Sequence, residues 1–349
     1  MALKLSDLQE RWDAVVGHSP VVRFIDINLR GAGQVMFMNN PLTGLLILIA
    51  IFVGAIDASM TQVAIGAVVG LVIGTATAIV LGVDDASLKQ GLFGFSPLLT
   101  GAAIPTFVAN KPMTWVYLDI GAAVTTVVTL AIGNIFKTWG VPALTFPFVL
   151  TTWFLLLGAY QLYRIHNRSL GPAGLPAFAT AATAHVDMSA SYVVTSMLRG
   201  VSQVFLIGNW VSGIIILIAL AVNSRWASAL AAAGTIVATL LALAFGANGS
   251  SINAGLYGFS AVLTAVALGC VFYQPSAGVL LYALIGTVFT LFVQAALNTA
   301  LAPVGIPTLT APFVLVTWLF LLPKRDFTPT PHHERTSGGV MSHSPDASA

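Results

Sequence analysis

Residues 141–157, VPALTFPFVLTTWFLLL, return at residues 306–322 as IPTLTAPFVLVTWLFLL. Counted from Leu144 and Leu309, 10 of 14 positions are identical. Two further blocks repeat in the same order. Leu29–Leu48 (LRGAGQVMFMNNPLTGLLIL) matches Leu198–Leu217 (LRGVSQVFLIGNWVSGIIIL) at 9 of 20 positions, and Gly91–Gly101 (GLFGFSPLLTG) matches Gly255–Ala265 (GLYGFSAVLTA) at 7 of 11. The offsets are 169, 164 and 165 residues. Three blocks at nearly one spacing make this chain a duplicated unit, and self-similarity of this kind sets the architecture before any local reading.

The composition says where such a unit lives. Of 349 residues, 57% are hydrophobic and 7% charged, with 14 Lys+Arg against 12 Asp+Glu. A soluble domain carries about 25% charged residues, so a soluble enzyme is excluded, as is disorder of the main body. A net charge of +2 without a basic stripe gives no handle for nucleic acid. One cysteine, Cys270, leaves neither a disulfide framework nor a thiolate metal site. What remains is an all-α polytopic membrane protein.

Apolar segments fall near 35–56, 60–82, 96–110, 114–136 and 145–160, then near 205–222, 226–245, 260–273, 277–300 and 310–323. Several are shorter than the ~20 residues a full crossing needs. Short, Gly- or Pro-interrupted segments at matching places in two halves point to a site at the bilayer midplane. Five spans per half is an odd number, so the second half enters the membrane upside down, giving two inverted repeats with short broken or re-entrant helices around a central pore. With both termini in the cytoplasm, ten of the 14 Lys and Arg lie inside, as the positive-inside rule requires. The organisation expected is a cytoplasmic amphipathic segment at 1–28, a first repeat at 29–160 and an external linker at 161–190. A second repeat follows at 191–325, and a disordered cytoplasmic tail at 326–349. His332, His333 and His343 in that tail carry no metal-site expectation.

The repeated blocks supply the candidate chemistry. Gly-rich turns at 91–95 and 255–259 precede short apolar segments, and helices that stop inside a bilayer are tolerated where they line a polar cavity. Packing alone would also account for a single glycine. Pro142 and Pro147 flank Thr145, and Pro307 and Pro312 flank Thr310. Proline removes a backbone donor, which frees a carbonyl beside a hydroxyl that both donates and accepts. Gln34 and Gln203 occupy matching Gln–Val positions in apolar runs. Each is either a satisfied interhelical amide or a contact for a neutral solute, since an unpaired amide in hydrocarbon is costly. Phe95 and Phe259 follow a glycine and precede a serine, where a flat ring face could border a slot.

Missing chemistry narrows the function. Asp57, Asp84 and Asp85 sit at span ends, and only Asp119 falls inside a span, near its start. Ion-coupled carriers keep ionisable groups in the membrane interior. No nucleotide motif and no nucleophile–base set is present, so no catalytic residue, metal or cofactor is expected. A path of threonines, amides and aromatic faces suits a small uncharged polar solute moving down its gradient.

At these residues the chain resembles the urea transporter family in its bacterial form. The family signature, Leu-Pro-x-x-Thr-x-Pro-Phe once per half, stands here as Val141–Phe148 and Ile306–Phe313, one aliphatic replacing another at the first position. The resemblance runs over roughly Gln34–Lys324. It implies a homotrimer in the lipid of a bacterial inner membrane, with one pore per subunit, in which urea passes flat between phenylalanine rings with its amide hydrogens toward a row of oxygens. Carried over, Phe95, Phe259 and Phe37 are slot walls; the counterpart of Phe37 in the other repeat is Leu206, which makes the slot less symmetric, and Phe205 is a further candidate. Gln34 with Val35 and Gln203 with Val204 mark two urea positions. Thr145 and Thr310 flank the constriction that Leu99 and Leu263 narrow. Some family members have an acid where Gln203 stands. Alternatives left open are a channel for another neutral solute, such as a short amide, ammonia or water, and an ion-coupled carrier using Asp119.

Overall fold

The computed structural model describes residues 12, 15–171, 173–186 and 189–325. The tail expected over 326–349 and, within the amphipathic segment expected over 1–28, residues 1–11, 13 and 14 lie outside the described residues. From Pro20 onward, the described residues form two sets of seven α-helices, one after the other. The first set is α1 (Pro20–Gln34), α2 (Pro41–Asp57), α3 (Thr61–Val80), α4 (Asp85–Lys89), α5 (Phe95–Phe107), α6 (Pro112–Lys137) and α7 (Phe146–Ala159). The second is α8 (Ala190–Ser202), α9 (Trp210–Asn223), α10 (Arg225–Ala244), α11 (Gly249–Asn253), α12 (Phe259–Val266), α13 (Ala277–Leu301) and α14 (Ala311–Leu321). Val108 and Asn167 form an isolated antiparallel bridge.

Sequence punctuation explains the boundaries. Ser19 caps α1 and Asn40 caps α2, its side chain accepting from Leu42 N at 2.9 Å and Thr43 N at 3.1 Å, with Pro20 and Pro41 at the first helical positions. A side-chain oxygen satisfies helix-start donors that have no intrahelical partner, and proline has no such donor to lose. Asn209 repeats the device for α9, accepting from Ser212 N at 2.8 Å. The apolar segments expected to start near 35 and 205 therefore start later. Residues 36–40 and 206–209 form breaks, and α8 with its short 3₁₀ extension bends by 70° into α9.

Among the described residues four helices are long and apolar enough to cross a bilayer: α3, α6, α10 and the helix running from Ala277 to Val304. Shorter apolar helices are α2, α7, α14 and Phe259–Val271, in which α12 continues through a π turn. Their outward faces carry Ile49, Ile65, Ile120, Ile218, Ile236 and Phe289, all exposed. So much contiguous apolar surface belongs against lipid, since soluble monomers rarely expose such patches. Inside, small residues let backbones touch. A Cβ on Gly66, Gly70 or Gly101 would overlap a carbonyl oxygen of the facing helix, so α3 and α5 pack main chain to main chain.

The two sets meet through matched pairs. Thr43 Oγ1 of α2 donates to Ala219 O of α9 at 2.9 Å, and Ser212 Oγ of α9 donates to Ala50 O of α2 at 2.7 Å. Thr43 and Ser212 are equivalent positions, as are Ala50 and Ala219. Within each set, Thr100 bonds Thr125 at 3.0 Å and the matching Thr264 bonds Thr290 at 3.0 Å.

Candidate functional site

The repeated Pro–Thr–Pro segments converge. Thr145 is the N-cap residue of α7 and Thr310 that of α14, each preceded by a leucine forced to positive φ: Leu144 at 53° and Leu309 at 51°. A bulky residue with φ above zero is a genuine outlier, and such strain collects at functional sites. It turns each threonine inward, and their hydroxyl oxygens lie 2.6 Å apart with both residues buried. Two hydroxyls share one proton between them, which leaves a second O–H and free lone pairs.

Proline leaves its mark nearby. Ala143 O, which Pro147 has no N–H to meet, accepts from Phe146 N at 3.2 Å, and Thr308 O accepts from Ala311 N at 3.2 Å. The carbonyls of the outer prolines are taken by indoles from the opposite half. Trp153 Nε1 donates to Pro307 O at 2.9 Å, and Trp318 Nε1 to Pro142 O at 2.8 Å. The two strained turns are thus tied to the partner half's helix.

Gln34 and Gln203 close the helices α1 and α8 rather than lying within spans. Gln34 Nε2 donates to Gln90 O at 2.9 Å and Gln203 Nε2 to Ala254 O at 2.8 Å. Each amide therefore anchors the residue before the Gly-rich turn, where Gly91 has φ 74° and Gly255 φ 78°. A Cβ at either glycine would strike the backbone of α1 or α8, at Gly31 N and Gly200 N respectively. Only glycine meets both demands.

Those turns launch α5 at Phe95 and α12 at Phe259. Leu99 and Leu263 lie one turn on, fully buried. Val35, Leu99, Val204, Phe259 and Leu263 belong to a single buried apolar cluster, with Phe37 and Phe95 packed against it. Phe37, at φ 65°, sets its ring edge-on to Phe272 at 5.8 Å and Phe313 at 6.0 Å. Its counterpart Leu206 also has positive φ, 60°. Phe205 is fully buried.

A cavity of about 630 Å³ opens on the side of the inter-repeat linker, touched by Ser169 and Gly171, and runs down to Thr310. Gln203, Val204 and Phe259 line it, while Gln34, Val35, Phe37, Phe95, Leu99, Thr145 and Leu263 do not. Sequence reasoning did not single out Gln294, Asn298 and Thr308, which also line it. The signal available was an amide in the 25-residue apolar helix α13, outside the repeated blocks. Asp119 is exposed on the outer surface of α6, away from this cavity.

The sequence profile of the family described as Urea transporter matches residues 25–325. The chain belongs to the urea transporter family. It is an integral membrane transporter, not an enzyme. Its relatives include "Urea transporter 1" of Capra hircus, 29% identical over 90% of this chain and 81% of the relative. Another is "Urea transporter 1" of Rattus norvegicus, 30% identical over 86% of this chain and 77% of the relative. The match takes in every element from α2 to α14 and with them both Pro–Thr–Pro segments.

Proposed function

We propose that the chain is a passive, channel-like path for urea, built as two inverted repeats whose half-helices meet at the Thr145–Thr310 pair. The single observation that carries the reading is that pair: two equivalent hydroxyls in contact where two helix starts converge, with an open cavity leading to one of them. The reciprocal bonds between halves support a two-fold relation, because a two-fold axis makes every contact occur twice. An odd number of crossings per half places that axis in the membrane plane.

Urea is planar and uncharged, with four N–H donors and one carbonyl acceptor. Phe95 and Phe259 are assigned as slot walls, with Phe37 and the aliphatic Val35, Val204, Leu99 and Leu263 excluding water around them. Gln34 and Gln203 mark the approach from each side. The threonine hydroxyls and nearby main-chain oxygens replace the hydrogen bonds urea gives up on leaving water. A hydrated cation finds no counter-charge in such a lining and pays its dehydration uncompensated. A bacterial inner-membrane location with cytoplasmic termini and a lipid-embedded homotrimer complete the proposal. The ten-to-four division of Lys and Arg supports the orientation.

A coupled carrier is the alternative, with Asp119 its seat. Asp119→Asn protein in proteoliposomes, assayed with and without a collapsed proton gradient, separates the two. The channel reading expects unchanged urea flux in all arms. Loss of flux in both the variant and the collapsed gradient would overturn it.

A further inference from the structure

The cavity is not matched by the other half in its polar lining. Gln294 on α13 is 3% exposed, and its Nε2 donates to Thr308 Oγ1 at 2.6 Å and Asn298 Oδ1 at 3.1 Å. Its Oε1 is buried with no hydrogen-bond partner. At the spacing of 165 residues that relates Thr125 to Thr290, the equivalent positions in the first half are Thr129, Gly133 and Ala143. Thr129 only bonds back to Thr125 O within its own helix, at 2.8 Å. A fully buried amide with one unmet polar atom costs free energy unless something meets it. Gln294 is also one of the residues lining the cavity, together with Asn298 and Thr308.

We infer that Gln294, held by Thr308 and Asn298, is a docking group for a neutral planar amide in the linker-side vestibule, one step before the Thr145–Thr310 constriction and without a counterpart in the other half. This rests on the urea-channel reading and extends it to a residue outside the repeated blocks. As placed, the free atom is an acceptor and meets a urea N–H. Turned over, the carboxamide accepts from the Thr308 hydroxyl, gives up its bond to Asn298 Oδ1 and offers an N–H to the urea carbonyl. Both orientations fit an amide. Neither neutralises an ion.

A binding position beside a limiting constriction governs saturation. It does not change the height of the barrier measured from free solute, in the way that uniform binding lowers a half-saturating concentration without speeding the step. The test is Gln294→Thr, the residue the first half carries, reconstituted beside the parent and beside protein-free liposomes. Urea flux is read over a range of concentrations. Loss of one hydrogen bond predicts a half-saturating urea concentration raised about fivefold, with low-concentration permeability within about twofold of the parent. A second arm soaks crystals of parent and variant with selenourea. An anomalous selenium peak beside Gln294, lost in the variant while density at the constriction persists, supports the site. Permeability that falls with half-saturation unmoved marks a merely structural residue and overturns it, as does a parent with urea flux but no peak and no shift. A parent with no flux above protein-free liposomes removes the transport reading, and this inference with it.

Discussion

Replacing the hydroxyls of the Thr145–Thr310 pair separates their structural role from the role proposed for them in the path. Thr145→Val keeps the shape of the side chain and removes the oxygen. It strands Thr310 Oγ1, which is buried and 2.6 Å from the lost partner. An unsatisfied buried hydroxyl costs about 1–3 kcal/mol, whereas removing both partners of a bond together is close to neutral. Each single variant should therefore melt below the parent, and Thr145→Val/Thr310→Val should recover most of that loss, a coupling of about 1–2 kcal/mol. Flux behaves differently. Each hydroxyl that replaces a hydrogen bond of urea to water at the narrowest point is worth about 1 kcal/mol on the barrier. A single variant should lose roughly fivefold in permeability and the double variant more, with no recovery. Melting followed by size-exclusion fluorescence, set beside stopped-flow light scattering on proteoliposomes, reads both quantities. A double variant that regains flux along with stability would refute the assignment, since the pair would then serve only to hold α7 against α14.

Three further outcomes are expected. Gly91→Ala should fail to fold or melt far below the parent, because its φ of 74° and the Gly31 backbone both exclude a methyl group, while Gly82→Ala, at φ 66° with open space around it, should cost only about 1–2 kcal/mol; thermal melts of the two compare them directly. Gln203→Glu sets a carboxylate oxygen against Ala254 O in place of the donating Nε2, so the variant should melt below the parent at pH 8, by about 1–3 kcal/mol in thermal melts. In the short helix α4, Asp84 is held below the usual carboxylate range by its hydrogen bonds to Ser87, and Asp85 by its bond to Lys89 with help from Arg23. Both folded-state values are depressed, so what these groups contribute is complete above the unfolded value near 4 and is lost as pH falls through the folded one; amide exchange at residues 84–90 should stay slow from pH 8 to 5 and quicken below about pH 4 relative to the intrinsic rate.

The long apolar spans were legible because lipid demands a continuous apolar face: the expected limits fell within about three residues of α3, α5–α7, α10, α13 and α14, while those over α2 and α9 began too early and that over α12 ran on past its π turn. Helices α1 and α8 were hidden, because they mix polar and apolar residues and bury small ones such as Gly31, Gly33, Ser196 and Gly200. A search for apolar runs passes over such faces. Gln34 looked like an amide inside a span, yet Asn40–Pro41 six residues on is a helix-start signal, and it marks the break that leaves Gln34 at the end of α1. The repeat pointed to Thr145 and Thr310 individually. Their contact across 165 residues, and the indole bonds from Trp153 and Trp318 to the opposite half, are tertiary facts that no local pattern encodes. Gln294 escaped for the converse reason: repetition singles out what the halves share, and this residue is where they differ.

The central claim is that urea crosses through this chain down its own gradient. Stopped-flow light scattering on proteoliposomes under an inward urea gradient, with and without an imposed proton gradient, addresses it most directly. The account predicts urea entry well above that of protein-free liposomes and the same rate in both conditions. Entry no faster than through lipid alone, or entry that requires the proton gradient, would contradict it.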